Sequence, residues 1–280
     1  RAAAPRWCGV RGGAWQRDTG LSRGQWGLTQ DDAGRLYFNY NSDLLRCDLL
    51  PAEAFTRHPL LRNATSVNAK LVTDQSVWPS HPTPGVNRGY STGTLRADGS
   101  LAKVTATCGP VIYRGDALPG CRGNAFIPEP GGNLVKRMIL REKDGLISAT
   151  NALAGRDFLT STDERFRPVQ AVNAPDGALY IADMSRGIIQ HASFLTHYLI
   201  ANIKARKLEQ PFTQGRIWRV VHESQPAPKP ARIPADAAAR VKMLDHASGW
   251  VRDAAQRLLV ETGGTEAIAP LTAILKNAES

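Results

Sequence analysis

Cysteine is scarce in this 280-residue sequence, which contains four, at positions 8, 47, 108 and 121. None belongs to a CxxC or CxxCH motif, which argues against zinc binding and against c-type haem attachment within this sequence. Cys108 and Cys121 flank a turn-rich stretch, and two interpretations stay open for them: a disulfide in an oxidising compartment, or two small buried residues. No apolar run approaches the roughly 20 residues of a transmembrane helix, so we expect no membrane span in this segment.

Acidic residues are outnumbered, because 35 Lys and Arg against 25 Asp and Glu give a net charge of +10. The basic residues are scattered singly, without a basic helix face or an aromatic RNA-binding motif, which argues against a nucleic-acid partner. An acidic small molecule or a polyanionic partner remains compatible with this charge. The sequence starts at Arg1 without a charged-then-apolar leader, and we interpret it as a segment of a longer protein.

Turn residues are abundant, with 25 Gly and 18 Pro, and they separate short apolar segments. Gly34 and Gly177 each follow an Asp-containing turn and precede a tyrosine by three residues. This pattern is a strong hairpin signal, because Gly supplies the positive φ that such a turn needs. Gly99 and Gly131-Gly132 mark further hairpins, and 215–221 is expected to be a closing strand. The repetition predicts a mainly β fold made of later blades of a six-bladed-type β-propeller, with a β-sandwich as the alternative.

Helical periodicity occurs in two places. Apolar residues recur at helical spacing within 191–207, which predicts a helix inserted before the closing strand. A Pro-rich linker spans 223–234, and the composition shifts to Ala and Leu after it. We expect three amphipathic helices there, over 237–244, 251–259 and 267–275, with Gly263-Gly264 ending the second. The predicted domains are therefore an N-terminally incomplete propeller over 1–222, the linker, and the start of HEAT-like helical repeats over 235–280.

Six polar residues lie where the predicted strands begin or end. Propeller ligands bind on the axis at one face, and the hairpin pattern brings these positions to one mouth. Guanidinium groups bind carboxylates through charge-assisted, bidentate hydrogen bonds, so the pattern predicts a site for an anionic ligand. The candidate residues are Arg122, Asn124, Arg165, Arg167, Asp183 and Arg186.

Several motifs resemble known dehydrogenases. The segments CGPVIYRGDALPGCRGNAFI (108–127), RFRPV (165–169), PDGALYIAD (175–183) and GRIWRV (215–220) resemble segments of the glucose/sorbosone dehydrogenases. Two further motifs, NRGY (87–90) and DMSRGIIQH (183–191), more closely resemble the large membrane-bound-dehydrogenase-type proteins of planctomycetes and verrucomicrobia. In that group a propeller is followed by HEAT-like repeats, and the resemblance covers essentially the whole chain.

The resemblance implies a six-bladed propeller that uses pyrroloquinoline quinone (PQQ), with calcium, to oxidise a sugar or another alcohol. It carries over Arg165 and Arg167 as cofactor-contacting arginines. It also implies a periplasmic or cell-envelope location and electron transfer to a c-type cytochrome domain of the same parent chain, outside this segment. No catalytic residue is assigned, because the family's catalytic histidine belongs to earlier blades. His191 is expected to be a structural hydrogen bonder.

Two departures from the family pattern bear on catalysis. The family's cofactor-contacting lysine follows the strand at Phe126-Ile127, whereas this sequence has no lysine there until Lys136. The aromatic residue expected shortly before Tyr113 is also missing. The alternative function is a non-catalytic propeller and HEAT-like module that binds a glycan or a protein, with Trp78 as the candidate for carbohydrate stacking. Arg167→Ala is expected to weaken ligand binding while leaving the melting temperature nearly unchanged.

Overall fold

The structure is a computed structural model of the chain, and it describes residues 6–11, 14–19, 24–50, 60, 66–226 and 228–278. Within these ranges, side chains are described from residue 24 to residue 276. The thiol of Cys8 lies outside the described side chains. Cys108 and Cys121 are not joined by a disulfide, which overturns that interpretation of the pair.

The described part is mainly β, because strand accounts for 26% of the residues and helix for 20%. The strands in chain order are β1 (Arg6–Arg11), β2 (Ala14–Thr19), β3 (Leu28–Gln30), β4 (Leu36–Tyr40), β5 (Asp43–Asp48), β6 (Ala69–Lys70), β7 (Val111–Ile112), β8 (Ala125–Glu129), β9 (Leu134–Lys143), β10 (Leu146–Asn151), β11 (Leu159–Thr160), β12 (Pro168–Asn173), β13 (Leu179–Asp183) and β14 (Arg216–Val220).

The strands form four sheets, in the orders β1-β2, β3-β4-β5-β6, β10-β9-β8-β7 and β12-β13-β14, and β11 pairs with β9. Each strand pair whose register is described is antiparallel. Apart from β11, strands that follow one another within a sheet are also neighbours in it, which is the order that short hairpin connections produce. Strand β10 alternates between exposed and buried side chains, whereas β8 is buried throughout. The mainly β fold class is confirmed, and its organisation as propeller blades stays a prediction.

The hairpin turns follow from residues that tolerate positive φ. Gly34, Gly99 and Gly177 have φ of 77°, 78° and 76°, which confirms the Asp/Gly turns. The turn after β8 is also present at Gly131-Gly132, but the residue with positive φ is Asn133, at 54°. Asn tolerates this conformation better than other non-glycine residues do.

The described helices lie where the apolar periodicity placed them. A short 3-10 turn at Ala192–Phe194 precedes α1 (His197–Ala205), which Thr196 caps by accepting a hydrogen bond from the Leu199 N–H. After the Pro-rich segment come α2 (Ala237–Lys242), α3 (Gly249–Thr262) and α4 (Ile268–Ala278). The helical C-terminal segment is confirmed, and its assignment to HEAT-like repeats stays a prediction. None of the helices in the described residues is long and apolar enough to cross a membrane.

The chain divides into two compact units. The first comprises 1–112, 123–171 and 181–218, and the second comprises 113–122, 172–180 and 219–280. The first unit holds a core of buried side chains that includes Tyr37, Leu44, Leu45, Ile127 and Leu134. A smaller apolar cluster in the same unit packs α1 through Leu199, Ile203 and Leu208.

Candidate functional site

The first unit contains a cavity of about 590 Å³. Its wall is built from loops that leave sheets and from the region of α1. These are residues 41–42, 85–88, 91, 94, 104–106, 131, 167, 187–190, 194, 199 and 203. Two of the wall segments coincide with the NRGY and DMSRGIIQH motifs, which are more than 90 residues apart in sequence.

The charged side chains of this wall are both arginines. Arg88 is exposed and Arg167 is buried, and none of the described residues lining the cavity is Asp or Glu. The remaining polar wall residues carry amides or hydroxyls, as Asn41, Asn87 and Gln190 do. A lining whose described residues carry positive but no negative formal charges favours an anion.

Arg167 lies immediately before β12 and is 6% exposed. Its guanidinium donates hydrogen bonds to three backbone carbonyls: Nη1 to Pro130 O at 2.6 Å, Nη2 to Gly187 O at 2.9 Å and Nε to Arg186 O at 3.1 Å. Burial lowers the pKa of Arg167 to about 10, which leaves the group charged at neutral pH. Arg167 therefore joins two segments of the wall and holds a positive charge beside the cavity.

Glu129, the last residue of β8, is fully buried and is bonded to the same wall. Its carboxylate accepts hydrogen bonds from the backbone N–H groups of Thr105, Ala106 and Gly131, at 3.2, 3.0 and 3.1 Å. All three donors belong to residues that line the cavity. A Cβ at position 131 would lie 2.8 Å from Glu129 Oε1, so a larger residue there would have to displace this carboxylate. Burial raises the pKa of Glu129 to about 7, against the lowering effect of these donors and of Arg167.

The 87–90 motif is anchored on the start of α1. Asn87 Nδ2 donates to Phe194 O at 3.2 Å, and Thr196 Oγ1 donates to Asn87 O at 3.0 Å. The rings of Tyr90 and Tyr198 meet edge to face, with centroids 5.7 Å apart. These contacts fix the loop that presents Arg88 to the cavity.

Asp183, at the end of β13, organises the second motif. Its Oδ1 accepts from the backbone N–H groups of Arg167 and Ser185, at 2.7 and 2.8 Å. Its Oδ2 accepts from Arg216 Nε at 2.9 Å and from Trp218 Nε1 at 3.0 Å. Ser185 has a positive φ of 50°, which turns the chain into the 187–190 wall segment. Asp183 therefore supports the wall without lining it.

The remaining candidate residues lie elsewhere. Arg165 donates to Lys207 O at 2.8 Å and to Gln210 O at 2.9 Å, which ties down the segment after α1. Asn124 is buried and accepts from Arg137 Nε at 2.9 Å. The side chain of Arg186 is exposed, and Arg122 is exposed within the second unit. Of the six candidate residues, all of them described, Arg167 is the one in the cavity wall.

A family model described as a domain of unknown function, DUF7133, matches residues 6–224, which is more than half of the chain. The chain belongs to this family. All residues that line the cavity fall within the DUF7133 region, whereas helices α2, α3 and α4 follow it. No curated protein matches the chain.

Two charged residues of the DUF7133 region, one in the cavity wall and one bonded to it, were not among the candidates that the sequence indicated. Arg88 was considered only as part of the NRGY motif. Recognition that this motif lies close to 187–190 would have identified Arg88 as a candidate site residue. Glu129 comes shortly before the turn at Gly131-Gly132, and nothing local in the sequence indicates that its carboxylate is buried.

The lysine and the tryptophan singled out in the sequence belong to one buried cluster. Lys136 Nζ and Asp157 Oδ1 are 2.7 Å apart, and both side chains are at most 1% exposed. Lys136 Nζ also lies 4.7 Å from the ring centroid of half-buried Trp78, and burial lowers the pKa of this lysine. Trp78 thus packs against a cation. His191 Nδ1 lies 2.7 Å from Ser193 Oγ, a local bond of the kind expected for a structural histidine.

The charge of the cavity suits the cofactor that the resemblance implies. PQQ is a tricarboxylate, and a wall with two arginines complements its charge. Calcium takes six to eight oxygen ligands from carboxylates, backbone and amide carbonyls and waters, and the described wall residues offer amide and backbone carbonyls but no carboxylate. No group of three or more His, Cys, Asp or Glu in the described part of the chain could hold a metal ion.

Proposed function

We propose that the cavity binds a small organic anion and that the DUF7133 region is a ligand-binding β-propeller domain. The observation that carries the proposal is the charge of the wall, whose described lining residues include Arg88 and Arg167 and no Asp or Glu. The meander order of the sheets supports the propeller organisation, because propeller blades are antiparallel sheets of consecutive strands.

The two arginines contribute in different ways. The three carbonyl bonds of Arg167 account for three of the five N–H donors of a guanidinium, which leaves two donors for a ligand. Because these bonds fix the group, little side-chain entropy is lost when a ligand binds. Arg88 is exposed and supplies a second donor fork from an anchored loop.

A quinoprotein dehydrogenase is the second candidate, favoured by the place of Arg167 in the wall. PQQ would supply a quinone that accepts a hydride from an alcohol. Arg167 and Arg88 would hold carboxylates of such a cofactor. The described wall residues include no His, Asp, Glu or Lys that could act as the base of this reaction, so binding is the better supported function.

The proposal is tested by titrating the chain, without calcium, with PQQ and with pyridine-2,6-dicarboxylate, an aromatic dicarboxylate that has no quinone. We expect saturable binding of the dicarboxylate, and Arg88→Gln should weaken it about tenfold or more, because a charged hydrogen bond contributes about 1.5–3 kcal/mol. Arg141→Gln removes the same charge from an exposed position of β9 outside the wall and should leave the affinity within about twofold.

The outcomes separate the two candidate functions. Tight binding of PQQ with weak binding of the dicarboxylate would favour the quinoprotein. Binding of neither ligand, or equal losses in Arg88→Gln and Arg141→Gln, would overturn the anion site.

A further inference from the structure

The wall of the cavity is bonded to a buried carboxyl group. Glu129 is 0% exposed, and three backbone N–H groups of the lining residues Thr105, Ala106 and Gly131 point at its oxygens. Such donors stabilise the ionised carboxylate, whereas burial stabilises the neutral acid. The two effects oppose each other at one group beside the ligand site.

Glu129 and a bound anion would share the same cation. Arg167 Nη1 is bonded to Pro130 O, the carbonyl next to Glu129 in sequence, while its guanidinium also belongs to the cavity wall. Charge interactions couple Glu129 with Arg167 from the start of β12 and with Cys108 from the segment before β7. Arg167 is thus the charged group that links Glu129 to the cavity.

We propose that Glu129 is a positioning residue whose buried carboxyl becomes more fully protonated, by uptake from solvent, when an anion binds in the cavity. A bound anion near Arg167 partly neutralises the positive charge that stabilises ionised Glu129. The negative charge of the anion also repels the Glu129 carboxylate. Both effects favour the neutral acid, so the ligand and the proton bind cooperatively. The inference rests on the proposed function, since it concerns the same cavity.

The ionisation behaviour of the free chain suits this coupling. Burial raises the pKa of Glu129 to about 7, so the group is partly ionised at neutral pH and is able to take up a proton. A carboxyl group with an ordinary pKa would be fully ionised at neutral pH, and its pKa would have to rise much further before it took up a proton. The affinity for an anion should therefore fall as the pH rises through this range.

Proton uptake is measurable on the wild-type chain without any substitution. Calorimetric titrations with pyridine-2,6-dicarboxylate, whose charge is constant above pH 6, are run at pH 7.5 in Bis-Tris and in Tris, which differ in ionisation enthalpy. We expect uptake of about half a proton per ligand if binding raises the pKa of Glu129 by about one unit. The dissociation constant should increase up to about tenfold between pH 6 and pH 8.5.

Two Glu→Gln variants locate the proton. Glu129→Gln should abolish the uptake and flatten the pH dependence of the dissociation constant. Glu142→Gln changes an exposed carboxylate that pairs with Arg35, and it should keep the wild-type uptake. Binding by the wild type without uptake, or uptake that persists in Glu129→Gln, would overturn this inference and leave the proposed anion site standing. Absence of dicarboxylate binding at every pH would overturn the proposed function and this inference with it.

Discussion

Substitution of Arg167 by methionine should destabilise the fold far more than substitution of an exposed arginine. Methionine approximates the length of the side chain but removes the charged hydrogen bonds to three carbonyls in two wall segments. Each such bond contributes about 1.5–3 kcal/mol, and the sum is reduced because the bonds share one group and because burying the charge has its own cost. We expect a loss of about 3–5 kcal/mol in the free energy of unfolding, or about 10 °C in melting temperature.

This expectation reverses the one drawn from sequence, in which Arg167 affected ligand binding alone. The matched control is Arg165→Met, because Arg165 also donates to carbonyls but is only half-buried, so we expect a smaller loss of about 1 kcal/mol. Denaturant unfolding, followed by intrinsic fluorescence, measures both. The loss in Arg167→Met should be larger at pH 8 than at pH 5.5, because ionised Glu129 then lacks its cation. Equal effects of the two substitutions would refute the structural role assigned to Arg167.

Three further predictions concern stability. In wild type, folding raises the pKa of Glu129, so the contribution of this group to stability is complete below about pH 4.5 and is lost as the pH rises through about 7. Wild type should therefore lose about 3 kcal/mol of its stability relative to Glu129→Gln between pH 4.5 and pH 8, as measured by denaturant titration. Lys136→Met leaves the Asp157 carboxylate buried without its cation and should cost about 3–5 kcal/mol, and a double variant that also carries Asp157→Leu should be more stable than the single one. Gly187→Ala places a Cβ against the backbone oxygen of Leu208 and should lower the free energy of unfolding by about 1–3 kcal/mol, whereas Gly85→Ala meets the same leucine at an ordinary contact distance and should change it by less than 1 kcal/mol.

Local signals in the sequence predicted the elements of the fold well. The turns at Gly34, Gly99 and Gly177 depend on the φ of a single residue, and the helices depend on apolar spacing within one segment. In one turn the expected residue with positive φ was wrong. The two adjacent glycines at 131–132 suggested that a glycine adopts it, but the residue that does so is Asn133. In this turn Gly131 lies against the Glu129 carboxylate.

The cavity could not be derived in the same way, because it depends on contacts distant in sequence. Arg88 reaches the wall through the anchoring of Asn87 on residues near position 195, more than 100 positions later. The partners of Arg167 carry no sequence signal at all, since every residue has a backbone carbonyl. A pattern of residue types identified a buried arginine as a candidate, but not the atoms that it binds.

The two arginines of the RFRPV motif show that resemblance in a motif does not by itself identify the role of a residue in a site. Arg165 and Arg167 are two residues apart at the start of one strand, and both guanidinium groups bind backbone carbonyls of segments that follow β13. One holds the chain after α1 and the other holds the wall at 186–187. Of the two, Arg167 alone combines this structural bonding with a place in the cavity wall. An arginine that already fixes the wall is also preorganised to bind an anion there, so stability and ligand binding at this position should be lost together.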